Sequence, residues 1–155
     1  MGKGKRVRNC LRTFALLLLG TFLISYALKP LGNYMTRPVA ALAALMLRPF
    51  YDVSLRDSVI VGDGLSVEVI PPCTPIMEWA LFLTYLLLTW RGRRDVIAIV
   101  VSFLYFTIVD SLRIALIFLF MAEGFGAGFS HDVITYITFL VAFFIVVWIR
   151  ERGRK

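Results

Sequence analysis

The chain has 155 residues, of which 59% are hydrophobic and only 17% are charged, and its mean hydropathy is +0.81. Soluble domains are about 45–50% apolar and about 25% charged, so this composition excludes a disordered chain, a secreted disulfide-rich scaffold and an ordinary cytosolic domain. It indicates one integral membrane domain over residues 1–155. The formal charge of +7 comes from basic residues that lie between apolar segments, as membrane topology requires, rather than from a nucleic-acid-binding surface.

Two apolar segments of different length come first. Thr13 to Leu28 carries no charge, and snorkelling of the flanking basic side chains extends it to a span over about residues 13–29. A cleaved signal peptide is the alternative, which the poor cleavage site Ser25-Tyr26-Ala27 disfavours. The next apolar run, Pro38 to Leu47, is bracketed by arginines and is too short to span a bilayer. It predicts a short interfacial or re-entrant helix.

Residues 51–72 predict a β-hairpin. Val59-Ile60-Val61 precedes Gly62-Asp63-Gly64, and Leu65 to Val69 then alternates apolar and polar residues. Two short strands around a Gly-Asp-Gly turn are typical of a hairpin. Because lipid cannot satisfy the open edges of a hairpin, we expect the interfacial helix and the hairpin, residues 36–72, to lie outside the bilayer on the extracytoplasmic side.

Three further apolar segments predict spans over about residues 74–90, 96–122 and 131–149, and the last two are separated by the glycine-rich stretch Glu123–Ser130. The predicted fold class is therefore all-α integral membrane, with four transmembrane helices, a short interfacial helix and a small extracytoplasmic β-hairpin. With the N-terminus inside, twelve basic residues lie on the inner side and four on the outer side. The positive-inside rule then predicts a multi-pass protein of the cell membrane with cytoplasmic N- and C-termini.

Cys73 and His131 are brought towards the outer leaflet by this topology. Cys73 precedes Thr74-Pro75, a pair that is typical of a helix cap followed by a first helical residue. A thiol at a helix N-terminus favours the nucleophilic thiolate, whereas a small buried core residue is the alternative. His131, the single histidine, can move a proton near neutral pH if the thiol is close, and is otherwise an exposed interfacial residue.

Arg113 lies within the third predicted span, where an arginine is costly and tends to face a partner or a wet cavity. Asp110, three residues earlier on the same helical face, is its predicted ion-pair partner. Glu78 follows Cys73 by five residues, and we expect it to pair with Arg113 or to polarise His131. The guanidinium is suited to hold a substrate carbonyl or carboxylate or to stabilise an oxyanion. A structural ion pair that braces the bundle is the alternative.

The remaining motif candidates predict no metal and no cofactor. One histidine and one outer cysteine do not supply the four ligands of a zinc site, and no phosphate-cradling glycine motif follows a strand. Cys10 lies beside the inner basic residues, so we expect it to be incidental and to form no disulfide with Cys73 on the opposite face.

Three stretches of the chain resemble the exosortase/archaeosortase family of membrane transpeptidases. They are Val67-Glu-Val-Ile-Pro-Pro-Cys73-Thr-Pro-Ile76, Asp110-Ser-Leu-Arg113-Ile-Ala115, and His131 at the start of the last span. The resemblance covers about residues 50–150. Members often have asparagine where Asp110 stands and glycine where Pro75 stands, some archaeal members use arginine in place of the histidine, and many carry additional N-terminal spans. The chain therefore resembles a minimal core of the family.

The resemblance implies a sortase-like cysteine transpeptidase or protease that cleaves C-terminal sorting signals of exported proteins. Such a signal consists of a short motif, a transmembrane helix and a basic tail, and the cleaved protein passes to an amine or lipid acceptor. By the motif match, Cys73 is the nucleophile, Arg113 the substrate or oxyanion contact and His131 the general acid/base, with Asp110 and Glu78 in support.

Two functions of other classes remain open on the sequence alone. A non-catalytic membrane module would dock a partner helix or an anionic lipid through Asp110 and Arg113, and Cys73 would then be dispensable. A small transporter would use the same ion pair, but four spans make a thin pathway and the chain has no inverted repeat.

Overall fold

The computed structural model describes the backbone of residues 3–90 and 92–152, and within these ranges the side chains from residue 11 onward. This part of the chain is mostly helical, which confirms the helical membrane character of the predicted fold. Its elements in chain order are α1 Lys3–Leu47, β1 Val53–Arg56, β2 Val59–Gly62, β3 Leu65–Glu68, a 3₁₀ turn Pro71–Cys73, α2 Ile76–Leu88, α3 Arg93–Ala122 and α4 Ala127–Arg152.

Among the described residues, three helices, α1, α3 and α4, are long and apolar enough to cross a membrane. Helix α2 has 13 residues, so at 1.5 Å per residue it extends about 20 Å, less than the ~30 Å hydrocarbon core. The number of four spans and the position of the sheet outside the bilayer therefore stay predictions.

The predicted separate interfacial helix is wrong, because Pro38–Leu47 is the C-terminal part of α1. This helix of 45 residues continues through Pro30 and Pro38, although proline removes a helical hydrogen bond and usually kinks or ends a helix. The last turns of α1 bury one face against the sheet and α3, and this packing stabilises the continuation. The buried residues of that face follow helical spacing and are Val39, Ala40, Ala43, Ala44 and Leu47.

The predicted hairpin is confirmed, and a third strand extends it. Strands β2 and β3 pair antiparallel with Gly62 opposite Leu65. The two turn residues Asp63 and Gly64 have φ of 50° and 72°, which are the positive values of a type I′ turn. Strand β1, which was not predicted, pairs antiparallel with β2, with Val53 opposite Gly62. A Cβ added at Gly62 would lie 2.7 Å from Val53 Cγ1, so a glycine is needed where these strand ends meet.

Two apolar clusters hold the elements together. The first, called here the sheet cluster, joins the end of α1, the sheet and α3, and its core is made by Val39, Ala40, Ala43, Ala44, Leu47, Val53, Ile60, Val69, Ile114, Ala115 and Phe118. The second joins α2, α3 and α4 through Phe82, Leu86, Phe106 and Ala142. Helices α1 and α2 approach closely at Gly20, where an added Cβ would lie 2.5 Å from Thr84 Cγ2.

The glycine-rich connection between α3 and α4 is shorter than predicted. Helix α3 ends at Ala122 and α4 begins at Ala127, so residues 127–130 are helical. Gly124 has φ of 88°, a left-handed conformation that glycine adopts without steric cost, and it makes the turn. His131 consequently lies in the second turn of α4 rather than at its start.

Candidate active site

Arg113 is buried within a polar cluster that joins α2 and α3. Its side chain is 4% exposed. Its Nη2 lies 3.2 Å from Oδ1 of Asp110, one turn earlier on α3, and its Nη1 lies 3.5 Å from Oε1 of Glu78 on α2. Both predicted partners of the guanidinium are thus confirmed. We call these three residues the buried triad.

The buried triad keeps polar atoms that no described residue satisfies. These atoms are Oε2 of Glu78, Oδ2 of Asp110 and Nε of Arg113. A buried polar group without a partner costs about 1–3 kcal/mol, so groups retained in this condition call for a physical explanation. The buried triad thus retains one donor and two acceptors that its own members do not use.

Cys73 ends the 3₁₀ turn that joins the sheet to α2, and its side chain is partly buried. The predicted helix start is wrong in register, because α2 begins at Ile76 and Pro75 occupies its cap position. Thr74 does not cap α2: its Oγ1 donates to the carbonyl oxygen of Pro71 at 2.6 Å. Cys73 is therefore outside the first turn of α2, and the helix-dipole argument for a thiolate does not apply to it.

The sheet cluster connects Cys73 with the part of α3 that carries the guanidinium. Cys73 packs against this cluster. Ile114 and Ala115, the two residues that follow Arg113 along α3, are buried members of the same cluster. Cys73 and the residues that follow Arg113 thus share one packed region, and a common site for the thiol and the guanidinium stays a prediction.

His131 is the member of the predicted site that stays apart. Its side chain is 53% exposed, and its Nδ1 lies 3.1 Å from Oδ1 of Asp132. No hydrogen bond or ion pair within residues 11–90 and 92–152 joins His131 to Cys73 or Arg113. Its role as general acid/base therefore stays a prediction.

A second polar cluster joins the other ends of α2, α3 and α4, and the sequence reasoning missed it. Arg150 Nη1 donates to Thr89 Oγ1 at 2.7 Å, and Nη2 donates to Asp95 Oδ1 at 3.1 Å. Tyr85 donates its hydroxyl to Glu151 Oε1 at 2.8 Å. The sequence does carry a signal for this cluster: an acidic residue lies in the first turn of α3 and an arginine lies in the last turn of α4. This cluster braces the bundle away from the buried triad.

Two further predictions from the sequence concern metal ligands and the second cysteine. Within the described ranges, no group of three or more His, Cys, Asp or Glu residues is arranged to hold a metal ion. The side chain of Cys10 lies outside the described residues. The structure therefore does not test the predictions that Cys10 is incidental and that it forms no disulfide with Cys73.

Comparison with known proteins decides the family. The sequence model of the transmembrane exosortases matches residues 3–148. The chain belongs to the transmembrane exosortase family. A protein described as "Probable archaeosortase D", from Methanocaldococcus jannaschii, is 35% identical over 131 residues, which cover 80% of this chain and 79% of that protein. No solved structure matches the chain.

Membership in the exosortase family confirms the resemblance inferred from the three motifs, all of which lie within the matched residues. The family is one of membrane transpeptidases, so membership supports a peptidase-type enzyme with a sortase-like processing function. The buried triad and Cys73 remain candidate site residues.

Proposed function

We propose that this exosortase-family protein is a membrane-embedded cysteine transpeptidase that cleaves C-terminal sorting signals of exported proteins at the extracytoplasmic face. The observation that carries the proposal is the buried guanidinium of Arg113, which retains an unpaired donor, Nε, and directly precedes the α3 residues that share the sheet cluster with Cys73. A nucleophilic thiol near a fixed hydrogen-bond donor is the minimum that acyl transfer through a thioester requires.

The proposed first half-reaction forms a thioester. His131 takes the thiol proton, and the sulfur of Cys73 attacks the carbonyl carbon of the scissile peptide bond. The carbonyl electron pair moves to oxygen, and Arg113 donates a hydrogen bond to this oxyanion. When the C–N bond breaks, His131 returns the proton to the leaving amine. That amine departs with the transmembrane helix and basic tail of the substrate.

The proposed second half-reaction transfers the exported protein to an acceptor. An amine or a lipid hydroxyl attacks the thioester carbon, and its proton passes to His131 as the C–S bond breaks and Cys73 is released. A substrate anchored by its own helix diffuses in two dimensions and presents its scissile bond at a fixed depth, which supplies part of the orientation that catalysis needs. Exclusion of bulk water favours transfer over hydrolysis.

The proposed sidedness rests on the charge distribution of the sequence. The twelve basic residues on the inner side against four on the outer side favour cytoplasmic termini. Cys73, which follows the sheet, then faces the outside, where an exported substrate is accessible.

A trapped thioester tests the proposal directly. The protein is reconstituted in vesicles with an exported protein of the source genome that ends in a short motif, an apolar helix and a basic tail. We expect mass spectrometry to find the substrate acyl group on the peptide that contains Cys73, and neutral hydroxylamine to remove it. The chain has two cysteines, so Cys10→Ala, with Cys73 as its one remaining thiol, is the control that must still be acylated. Turnover of the substrate without any acylated intermediate would refute covalent catalysis by Cys73.

Replacement of His131 by glutamine is expected to slow cleavage by about 10²–10⁴-fold, the usual contribution of a positioned general acid/base. The side chain is half exposed and contacts Asp132, so the substitution should leave the unfolding temperature unchanged. Cleavage rates measured at saturating substrate, beside Asp132→Asn as the matched control, decide the role. A rate that is equal in His131→Gln and the wild type would exclude the imidazole from the reaction.

A further inference from the structure

A groove between α3 and α4 lies on the part of the bundle where α3 begins and α4 ends. It has a volume of about 740 Å³, within the range of sites that hold small molecules and cofactors. Its walls are mainly apolar, and several of the residues that form them are exposed, such as Ile97 at 66% and Val101 at 58%. The apolar walls are formed by Ile97, Ala98, Val101, Tyr105, Val146 and Ile149.

The polar end of the groove carries Asp95 and two arginines of different character. Arg150 is held by Asp95 and Thr89. Arg94 also lines the groove and is exposed, and it makes no hydrogen bond or ion pair with any residue whose side chain is described. Among the described side chains, Arg94 is thus an unpaired cation beside apolar walls. This arrangement complements an amphiphile that has an anionic headgroup and an apolar chain.

We propose that this groove binds an anionic phospholipid, with an acyl chain against the apolar walls and the phosphate accepting hydrogen bonds from Arg94. The charge favours a lipid over a partner helix, because a purely apolar helix would leave the guanidinium without a counter-charge. Membrane leaflets rich in anionic lipid attract basic side chains that lie at the membrane surface. The inference is independent of the proposed transpeptidase activity.

Two pairs of neighbouring substitutions test the site. Arg94→Gln removes the cation that lines the groove, and Arg93→Gln removes an exposed arginine outside it. Val101→Trp fills the groove, whereas Val100→Trp alters a valine that is equally exposed, at 60%, and does not line it. The purified chain in detergent is titrated with phosphatidylglycerol or with phosphatidylcholine of the same acyl chains, and bound lipid is counted by native mass spectrometry.

We expect the wild type to prefer phosphatidylglycerol, and Arg94→Gln to weaken its binding about fivefold, the factor that corresponds to ~1 kcal/mol for one arginine near an anionic headgroup. Val101→Trp should weaken binding of either lipid about tenfold, because displacing even two methylene groups from an apolar wall loses that much. The two control variants should bind as the wild type does. Inorganic phosphate should not compete, because it lacks the acyl chain.

Three results would overturn the proposal. Equal binding of the two lipids would show that the groove does not recognise the anionic headgroup. Equal losses of phosphatidylglycerol binding in Arg94→Gln and Arg93→Gln would attribute the binding to general surface charge rather than to this groove. A dimer that forms without lipid, persists in Arg94→Gln and is disrupted by Val101→Trp would instead assign the groove to a second copy of the chain.

Discussion

Replacement of Cys73 by alanine is expected to abolish processing of the sorting signal, with a loss of at least about a thousandfold, because the other groups of a site cannot replace its nucleophile. Cys73 is partly buried and packs at the border of the sheet cluster, so the loss of one sulfur atom should cost little stability. The measurement is cleavage of a membrane-anchored substrate in vesicles that contain equal amounts of the wild-type and variant proteins.

The second cysteine of the chain provides a matched control for this prediction. Cys10→Ala is the matched control and should cleave at the wild-type rate, whereas Cys73→Ser keeps the shape of the side chain and should fail as Cys73→Ala does. Full cleavage by Cys73→Ala at an equal amount in the membrane would eliminate the cysteine mechanism. A wild-type protein that binds the substrate without cleaving it would instead favour the non-catalytic alternative, a module that docks a helix or a lipid.

The local parts of the fold and site were predictable from the sequence. Asp110 and Arg113 are three residues apart on one helix, so their pairing follows from helical geometry alone. The turn at Asp63-Gly64 likewise carries its own signal, because few residues adopt positive φ at both positions. Features of this kind require no knowledge of what packs against them.

The parts that depend on tertiary packing were not predictable in the same way. Arginines and Pro38 delimit an apolar segment in the sequence, but the burial of Val39–Leu47 against the sheet and α3 decides that α1 continues through it. The four-residue strand β1 is stabilised by its pairing with β2 rather than by its own pattern. The exposure of His131 follows from where α4 begins, at Ala127, and a glycine-rich sequence does not specify that boundary.

Replacement of Arg113 by methionine is expected to lower both stability and activity strongly. The substitution leaves the carboxylates of Glu78 and Asp110 buried without their cation, and removal of one partner from a buried ion pair costs about 3–5 kcal/mol. Thermal unfolding in detergent should show a markedly lower transition temperature. Because the unfolded protein is also inactive, this single variant does not show whether Arg113 stabilises the helix packing or contacts the substrate.

A variant in which the whole buried triad is neutral distinguishes these two roles. In Glu78→Met/Asp110→Val/Arg113→Met, no charge or polar side chain is left unpaired, and replacement of a complete buried ion pair by hydrophobic residues of similar volume is often without cost to stability. We expect its unfolding temperature to return close to that of the wild type while cleavage stays absent, since the oxyanion has lost its donor. A folded triple variant that cleaves normally would assign Arg113 to bracing α2 against α3. Arg113→Lys completes the series: lysine restores the positive charge but not the planar fork of donors, so it should recover stability better than activity.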